Sequence, residues 1–403
     1  MIKNLVFFVF LILSFNFALG IKRLPECNID LDANHKEMWI PAFEALKNAG
    51  KTWESGFQVI FKNFNSTIFQ YITDEQYAQI NDGFSANFPG HYAELQGIQY
   101  AFQKYYGQYA SLEYLSAWVY FHELLHVDFS KQKQAKLEAL GYKDEYLEEW
   151  EYSEYIYAQG QDCTGVLVKK PDGTVMQGRS FEQSNPTGFR NIALNMTIYK
   201  GSEIVGYSTD VYWFNTGFVT AFVPGVASLQ ENFRYGDIQL EDLIENIQNG
   251  VWAQVFPFRR ILDDRSFRTK SFKEVYQFLL DQPSPAPQFN IVGGKTDGVV
   301  LSISGIDDEQ AEKPVYSLSE DAVDGWFLIQ TNYDLWEKDD DQRRTIGTQT
   351  LKQMGQQLSS EKVGLFAVMD SWKIHNTNTI YTGVMDVSQN YYYFLGQDGI
   401  KQV

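Results

Sequence analysis

An α+β fold is predicted, with helices gathered in the first third and strands mixed with helices in the rest. Two observations carry this. Apolar residues fall at helical spacing early in the chain, as at Trp39, Phe43 and Leu46. From Thr164 onward, runs of strand length follow one another between turn residues. The change lies within a residue or two of Cys163, one of two cysteines in a chain of 403 residues.

Taken in order, residues 1–20 read as a secretory signal peptide. Lys3 precedes a nearly unbroken apolar run over 5–19, and Ala18-Leu19-Gly20 ends it with small residues. A short strand is possible over 28–32. Helices are expected over 37–46, 56–69, 91–106 and 112–140, with turns at Asn81-Asp82-Gly83 and Asn87-Phe88-Pro89-Gly90. Residues 127–160 are polar and read as a solvated helical insertion. Strands are expected over 164–169, 174–180, 189–200, 203–210 and 217–223. A helical block covers 238–281 and is broken by Pro283, Pro285 and Pro287. Strands resume over 288–292, 298–303 and 325–331, then helices over 342–357 and 359–370, then strands over 379–386 and 389–395.

Composition bounds the function. A chain that is 44% hydrophobic and 16% aromatic can fill a core. A net charge of −18 leaves no basic surplus to displace counterions, so nucleic acid is not an expected partner. Two cysteines cannot make a disulfide framework; either Cys27 pairs with Cys163 or a thiol is kept free. Asn65-Ser66-Thr67 and Asn195-Met196-Thr197 are glycosylation acceptors at Asn65 and Asn195.

Three clusters could carry chemistry. The first is a hairpin over 163–182. With Asp172-Gly173 as a two-residue loop, Val166 faces Arg179 and Cys163 faces Glu182. Cys163 is then either a small core residue or a nucleophile. A cut after Asp162 would give it an α-amine, of ordinary pKa about 7.7–8.0, able to take the thiol proton. Arg179 could lower the thiol pKa. In this register Glu182 shares the face of Cys163 while Arg179 points away. The second cluster is His122-Glu123-Leu124-Leu125-His126, the pattern of a zinc hydrolase with Glu123 as base, or simply two histidines on a partly buried helix. The third is Asn332-Tyr333-Asp334 with Asp339-Asp340-Asp341-Gln342-Arg343-Arg344. It reads as a turn and a solvated helix start, or as an oxyanion donor (Asn332) with an arginine clamp.

Six blocks then appear in order: Cys163-Thr164-Gly165-Val166-Leu167-Val168, Gly178-Arg179, Ile291-Val292-Gly293-Gly294, Gln330-Thr331-Asn332-Tyr333-Asp334, Arg343-Arg344-Thr345 and Thr379-Ile380-Tyr381-Thr382. Together they resemble the acid ceramidase and N-acylethanolamine-hydrolysing acid amidase family of N-terminal nucleophile hydrolases. The resemblance implies a four-layer αββα core and autocleavage between Asp162 and Cys163. It implies a helical α-chain over 21–162 and a catalytic β-chain over 163–403. It also implies hydrolysis of lipid N-acyl amides without a cofactor, in the lysosome or outside the cell, with peripheral contact to a membrane or lipid activator. By motif, Cys163 would be the nucleophile, Arg179 and Arg343 the active-site arginines and Asn332 the oxyanion donor.

Three departures stand out. Gly178-Arg179-Ser180-Phe181-Glu182 replaces the family's Gly-Arg-Asn-x-Asp, so Glu182 stands where relatives carry Asp. The insertion over 127–160 precedes the nucleophile and is expected to cover the bond to be cut. Cys27 has no structural partner in the β-chain, so the two chains are expected to associate non-covalently. A non-catalytic lipid-binding relative is the remaining reading of the same resemblance.

Overall fold

The computed structural model describes residues 21–139, 163–306 and 314–397. Residues 1–20, read above as a signal peptide, Asp162 and the later part of the insertion lie outside the described residues.

Fourteen strands among the described residues form two sheets. The first has six: β1 (Ile21–Lys22), β14 (Tyr391–Gln397), β13 (Thr379–Asp386), β4 (Val175–Glu182), β3 (Thr164–Lys169) and β12 (Phe327–Gln330), in that spatial order. The second has eight: β11 (Val315–Ser317), β10 (Gly298–Ile303), β9 (Gln288–Gly293), β8 (Ala227–Phe233), β7 (Thr220–Val223), β6 (Glu203–Asp210), β5 (Leu194–Lys200) and β2 (Glu26–Asp30). Inner strands such as β3, β4 and β9 are buried along their whole length, so they read as continuous rather than alternating patterns.

The sheets stack through Leu167, Val175 and Leu328 of the first against Phe289, Ile291 and Val300 of the second. Helices Arg343–Ser359 and Lys362–Met369 cover the outer face of the first sheet through Leu351, Leu365 and Val368. Helices Ile40–Asn48, Phe256–Asp263 and Phe272–Asp281 pack on the second sheet, giving four layers in the order αββα.

The upstream segment is not a separate helical body. β1 pairs with β14, and β2 lies parallel to β5, so residues 21–30 add an edge strand to each sheet. A buried ion pair also ties the two parts together: Glu94 Oε1 lies 3.2 Å from Arg259 Nη2, and Trp39 Nε1 donates to Glu94 Oε2 at 2.7 Å.

Two local expectations are corrected. Asn81-Asp82-Gly83 is not a turn but lies inside helix Asp74–Asn87, which Thr73 and Gln76 start with a capping box. Gly83 is there for close approach: a Cβ would meet Gln248 Cα at 3.1 Å. The second correction is strand register. The 171–173 loop has three residues, not two. Lys170 and Thr174 close it, and Gly173 takes φ +85°. Thr164 therefore pairs with Ser180 and Gly165 with Arg179.

Candidate active site

That one-residue change of register exchanges the faces on which the polar side chains lie. Arg179, not Glu182, shares the face of Cys163. Arg179 Nη2 points at Cys163 Sγ at 3.9 Å, and its Nη1 donates to the Glu231 backbone carbonyl at 2.7 Å. Phe181 and Tyr381 lie beside the guanidinium, with ring centroids at 5.1 and 6.0 Å. Glu182 turns to the other face. Its Oε1 accepts from Ser180 Oγ and its Oε2 from Arg343 Nη1, at 2.5 and 3.3 Å. The two faces nevertheless converge on Cys163, because β4 ends there and the thiol lies 4.0 Å from the Glu182 carbonyl oxygen.

Arg343 closes the site from the helix layer. Expected by one reading at a solvated helix start, it is 1% exposed. Gln342, at φ +66°, turns the chain so that Arg343 enters the interior. Arg343 Nη1 donates to the Cys163 carbonyl oxygen at 2.7 Å and to Thr164 Oγ1 at 3.1 Å. Its Nη2 donates to Asn332 Oδ1 at 2.6 Å. Asp341, the last of the three acids, grips the same guanidinium at 2.6 Å. Asn332 Nδ2 donates to the Phe233 carbonyl oxygen at 2.8 Å, which uses one of its two N–H groups. Asp334 is held by Arg234 at 3.0 Å.

So Cys163, Arg179, Glu182, Asn332 and Arg343 come together from β3, β4, the end of β12 and one helix start. Both cysteines are free, which removes the pairing of Cys27 with Cys163. Burial pushes the Cys163 thiol up to about 12. Arg179 opposes this, while Glu182 and Glu231 add to it.

Two site residues escaped the sequence reading, because Ala227–Phe233 was not read as a strand. Its Gln-Glu-Asn run looks like a loop, yet it is buried throughout. The available signal was Pro224-Gly225, a turn between two runs of strand length. From this strand Asn232 Nδ2 lies 3.3 Å from the Cys163 carbonyl oxygen. Glu231 is 1% exposed and close enough for its charge to act on Cys163 and Arg179. Burial raises its carboxyl to about 8, with Arg179 pulling the other way.

The His122–His126 stretch is one turn of helix, Phe121–Leu124, followed by a tightened end in which His126 N–H reaches the Glu123 carbonyl. The rings lie 6.2 Å apart at 67°, not side by side on a regular helix face. Each has a protein partner: His122 Nδ1 meets Gln254 Oε1 at 2.6 Å, and His126 Nδ1 meets the Gly236 carbonyl oxygen at 2.9 Å. Among the described residues, no group of three His, Cys, Asp or Glu side chains is placed to hold a metal ion.

Of the glycosylation acceptors, Asn65 is exposed and accepts from Tyr114 Oη at 2.7 Å. Asn195 lies in β5, where its Oδ1 accepts from Thr209 Oγ1 at 2.7 Å. No described helix is long and apolar enough to cross a membrane.

Two facing sheets between helical layers, with Cys163 at the head of an inner strand, form the four-layer αββα architecture that the sequence resemblance implies. In sequence the chain is similar to curated acid ceramidases and N-acylethanolamine-hydrolysing acid amidases. It is 27% identical over 232 residues to an N-acylethanolamine-hydrolysing acid amidase of Caenorhabditis elegans, covering 56% of this chain and 61% of that one. It is 27% identical over 240 residues to the protein of that name from Rattus norvegicus, covering 58% of this chain and 62% of the relative. It is 29% identical over 250 residues to an acid ceramidase of Heterocephalus glaber, covering 57% and 60%. The matched region thus spans about three-fifths of each curated relative. A solved structure of the C. elegans amidase aligns with a TM-score of 0.48 at 25% identity, over 56% of this chain and 93% of that one. No family model matches the chain.

Proposed function

We propose that the chain is a lipid amidase that hydrolyses N-acyl amides, of the ceramide or N-acylethanolamine type, to a fatty acid and an amine. The observation that supports this most is the Arg343 guanidinium, which has the Cys163 carbonyl oxygen, Glu182 and Asn332 within 2.6 to 3.3 Å. Such surroundings on both backbone and thiol support a catalytic reading of Cys163 over one in which it only packs.

In this reading residues 1–20 direct the chain into the secretory pathway, to the lysosome or the exterior. The bond between Asp162 and Cys163 is cut, and residues 21–162 and 163–403 stay together without a covalent link. The freed α-amine of Cys163 takes the thiol proton, and Arg179 favours the thiolate. Sulfur attacks the acyl carbonyl, and the second N–H of Asn332 donates to the oxyanion. The amine leaves with the proton of the α-ammonium. Water then attacks the thioester, its proton returning to sulfur, and the fatty acid departs. Arg343, with Glu182, fixes the Cys163 backbone so that its amine keeps one orientation.

Intact-mass analysis of secreted wild type and Cys163→Ala tests the reading. Wild type should give two fragments after acid incubation, starting at residue 21 and at Cys163, and should release fatty acid from an N-acyl amide. An uncut, inactive wild type would sink it.

A further inference from the structure

His122, Glu123 and His126 have no part in the mechanism above, yet all three are buried against the site. The amide of Gln254 is fixed, because its Nε2 donates to the carbonyl oxygens of Ala286 at 2.8 Å and Pro287 at 3.3 Å. Its Oε1 therefore faces His122 Nδ1 and, carrying no proton, must accept. His122 is thus protonated on Nδ1. The Gln254 backbone N–H donates to Glu123 Oε1 at 2.6 Å, which secures the same contact from the other side.

The far edge of the ring meets the site. His122 Nε2 lies 3.5 Å from Glu231 Oε2, and that contact is attractive only with one proton between the two atoms. Burial lowers His122 and raises Glu231, so the proton rests on the carboxyl group.

The buried side-chain atoms without a hydrogen bond from any described residue include Glu231 Oε1, an acceptor, and Arg179 Nε, a donor, along with Glu123 Oε2 and His126 Nε2. A carboxyl group and a guanidinium of the same site would ordinarily pair. Instead Arg179 takes the backbone carbonyl of Glu231 and keeps its Nη2 on Cys163 Sγ.

We propose that His122 is a positioning residue of the cysteine site: by holding the Glu231 carboxyl group it keeps that group off Arg179 and leaves the guanidinium to act on the Cys163 thiol. The upstream segment would then contribute to the electrostatics of a nucleophile carried by the downstream one. This rests on the reading of Cys163 as nucleophile, but its test does not need an amide substrate.

The readout is the rate at which Cys163 is alkylated by iodoacetamide at pH 7, measured on its own peptide by mass so that Cys27 does not interfere. His122→Asn keeps a donor for Gln254 and loses the reach to Glu231; His122→Gln keeps that reach. Asn at 122 should slow labelling roughly three- to tenfold, since one pKa unit is tenfold in thiolate. Gln should stay within about twofold of wild type. In a Glu231→Gln background, where no carboxylate can neutralise Arg179, His122→Asn should have no further effect. Thermal melts report folding, and His122→Ser replaces the Asn variant if that one fails to fold. Equal rates for the Asn and Gln variants, or a loss that persists with Glu231→Gln, would overturn the proposal. A wild type that labels as expected but hydrolyses no N-acyl amide would sink only the functional reading.

Discussion

Glu182 Oε2 and Arg343 Nη1 lie 3.3 Å apart, with the two side chains 0% and 2% exposed. Both side chains are buried, so the pair is expected to behave as a unit. Arg343→Met should remove a buried cation from beside the Glu182 carboxylate and cost about 3–5 kcal/mol, read from urea unfolding. Arg343→Lys should recover little, because a point charge cannot span Cys163, Thr164, Glu182 and Asn332 as a guanidinium does. Glu182→Asp retracts the carboxylate by one methylene. It should cost less than Arg343→Met and still allow cleavage before Cys163. A Met variant as stable as wild type would show that the pair is not what holds the site closed.

Before cleavage Cys163 should be almost inert. Its thiol is held up to about 12 by burial, against an ordinary 9.0, so its thiolate at pH 7 is about a thousandfold scarcer than that of a free thiol. The precursor should therefore label with iodoacetamide about that much more slowly than a model thiol. Arg179→Ala, which removes the cation that opposes this shift, should slow it further. Labelling of the precursor at the rate of an exposed cysteine would contradict this. The proposed cut should accelerate it, because an adjacent amine then becomes available.

Much of this was legible in the sequence, and the exceptions have physical causes. Strands β3, β6, β10 and β13 were readable to the residue, as apolar or β-branched runs bounded by turns. The choice of Cys163, Arg179, Glu182, Asn332 and Arg343 came from ordered blocks, and the fold gathers them around the Cys163 backbone and thiol. Their orientation was not legible. A three-residue loop differs from a two-residue one only in where the chain closes, at Lys170 and Thr174, yet it moves Arg179 to the thiol face. Strand β8 was missed because its Gln230, Glu231 and Asn232 are buried polar groups. Tertiary partners supply their hydrogen bonds, and local sequence does not show them.

Gly165 should tolerate no side chain. It lies opposite Arg179 in β3, and a Cβ there would meet Gln230 Nε2 at 2.7 Å. Gln230 cannot easily give way, since its Nε2 donates to Asn232 Oδ1 at 2.8 Å and its Oε1 accepts from Gln177. Gly165→Ala should force β8 away from β3, at a cost of about 1–3 kcal/mol. Because Asn232 moves with that strand, fragment formation should slow more than the stability loss accounts for. An Ala variant that is cut at the wild-type rate would show that the distance between these strands does not control the site.

His126 should make the protein sensitive to acid. Its ring is 2% exposed and stacks on Phe233 with centroids 3.9 Å apart. Burial, with the nearby His122, lowers it from 6.5 to about 3, against the hydrogen bond to Gly236. The unfolded chain therefore takes up a proton below pH 6.5 that the native chain refuses. Stability from this residue is full above pH 6.5 and falls as pH drops towards 3. Between pH 7 and pH 4.5 the loss amounts to about 2–3 kcal/mol, at about 1.4 kcal/mol per unit. His126→Asn keeps a donor for the Gly236 carbonyl and does not titrate. It should be less stable than wild type at pH 7, where the stacking on Phe233 is lost, but should decline less on acidification. The measurement is the urea midpoint of both proteins at pH 7 and pH 4.5. Parallel declines would show that His126 is not the residue whose protonation unfolds the chain.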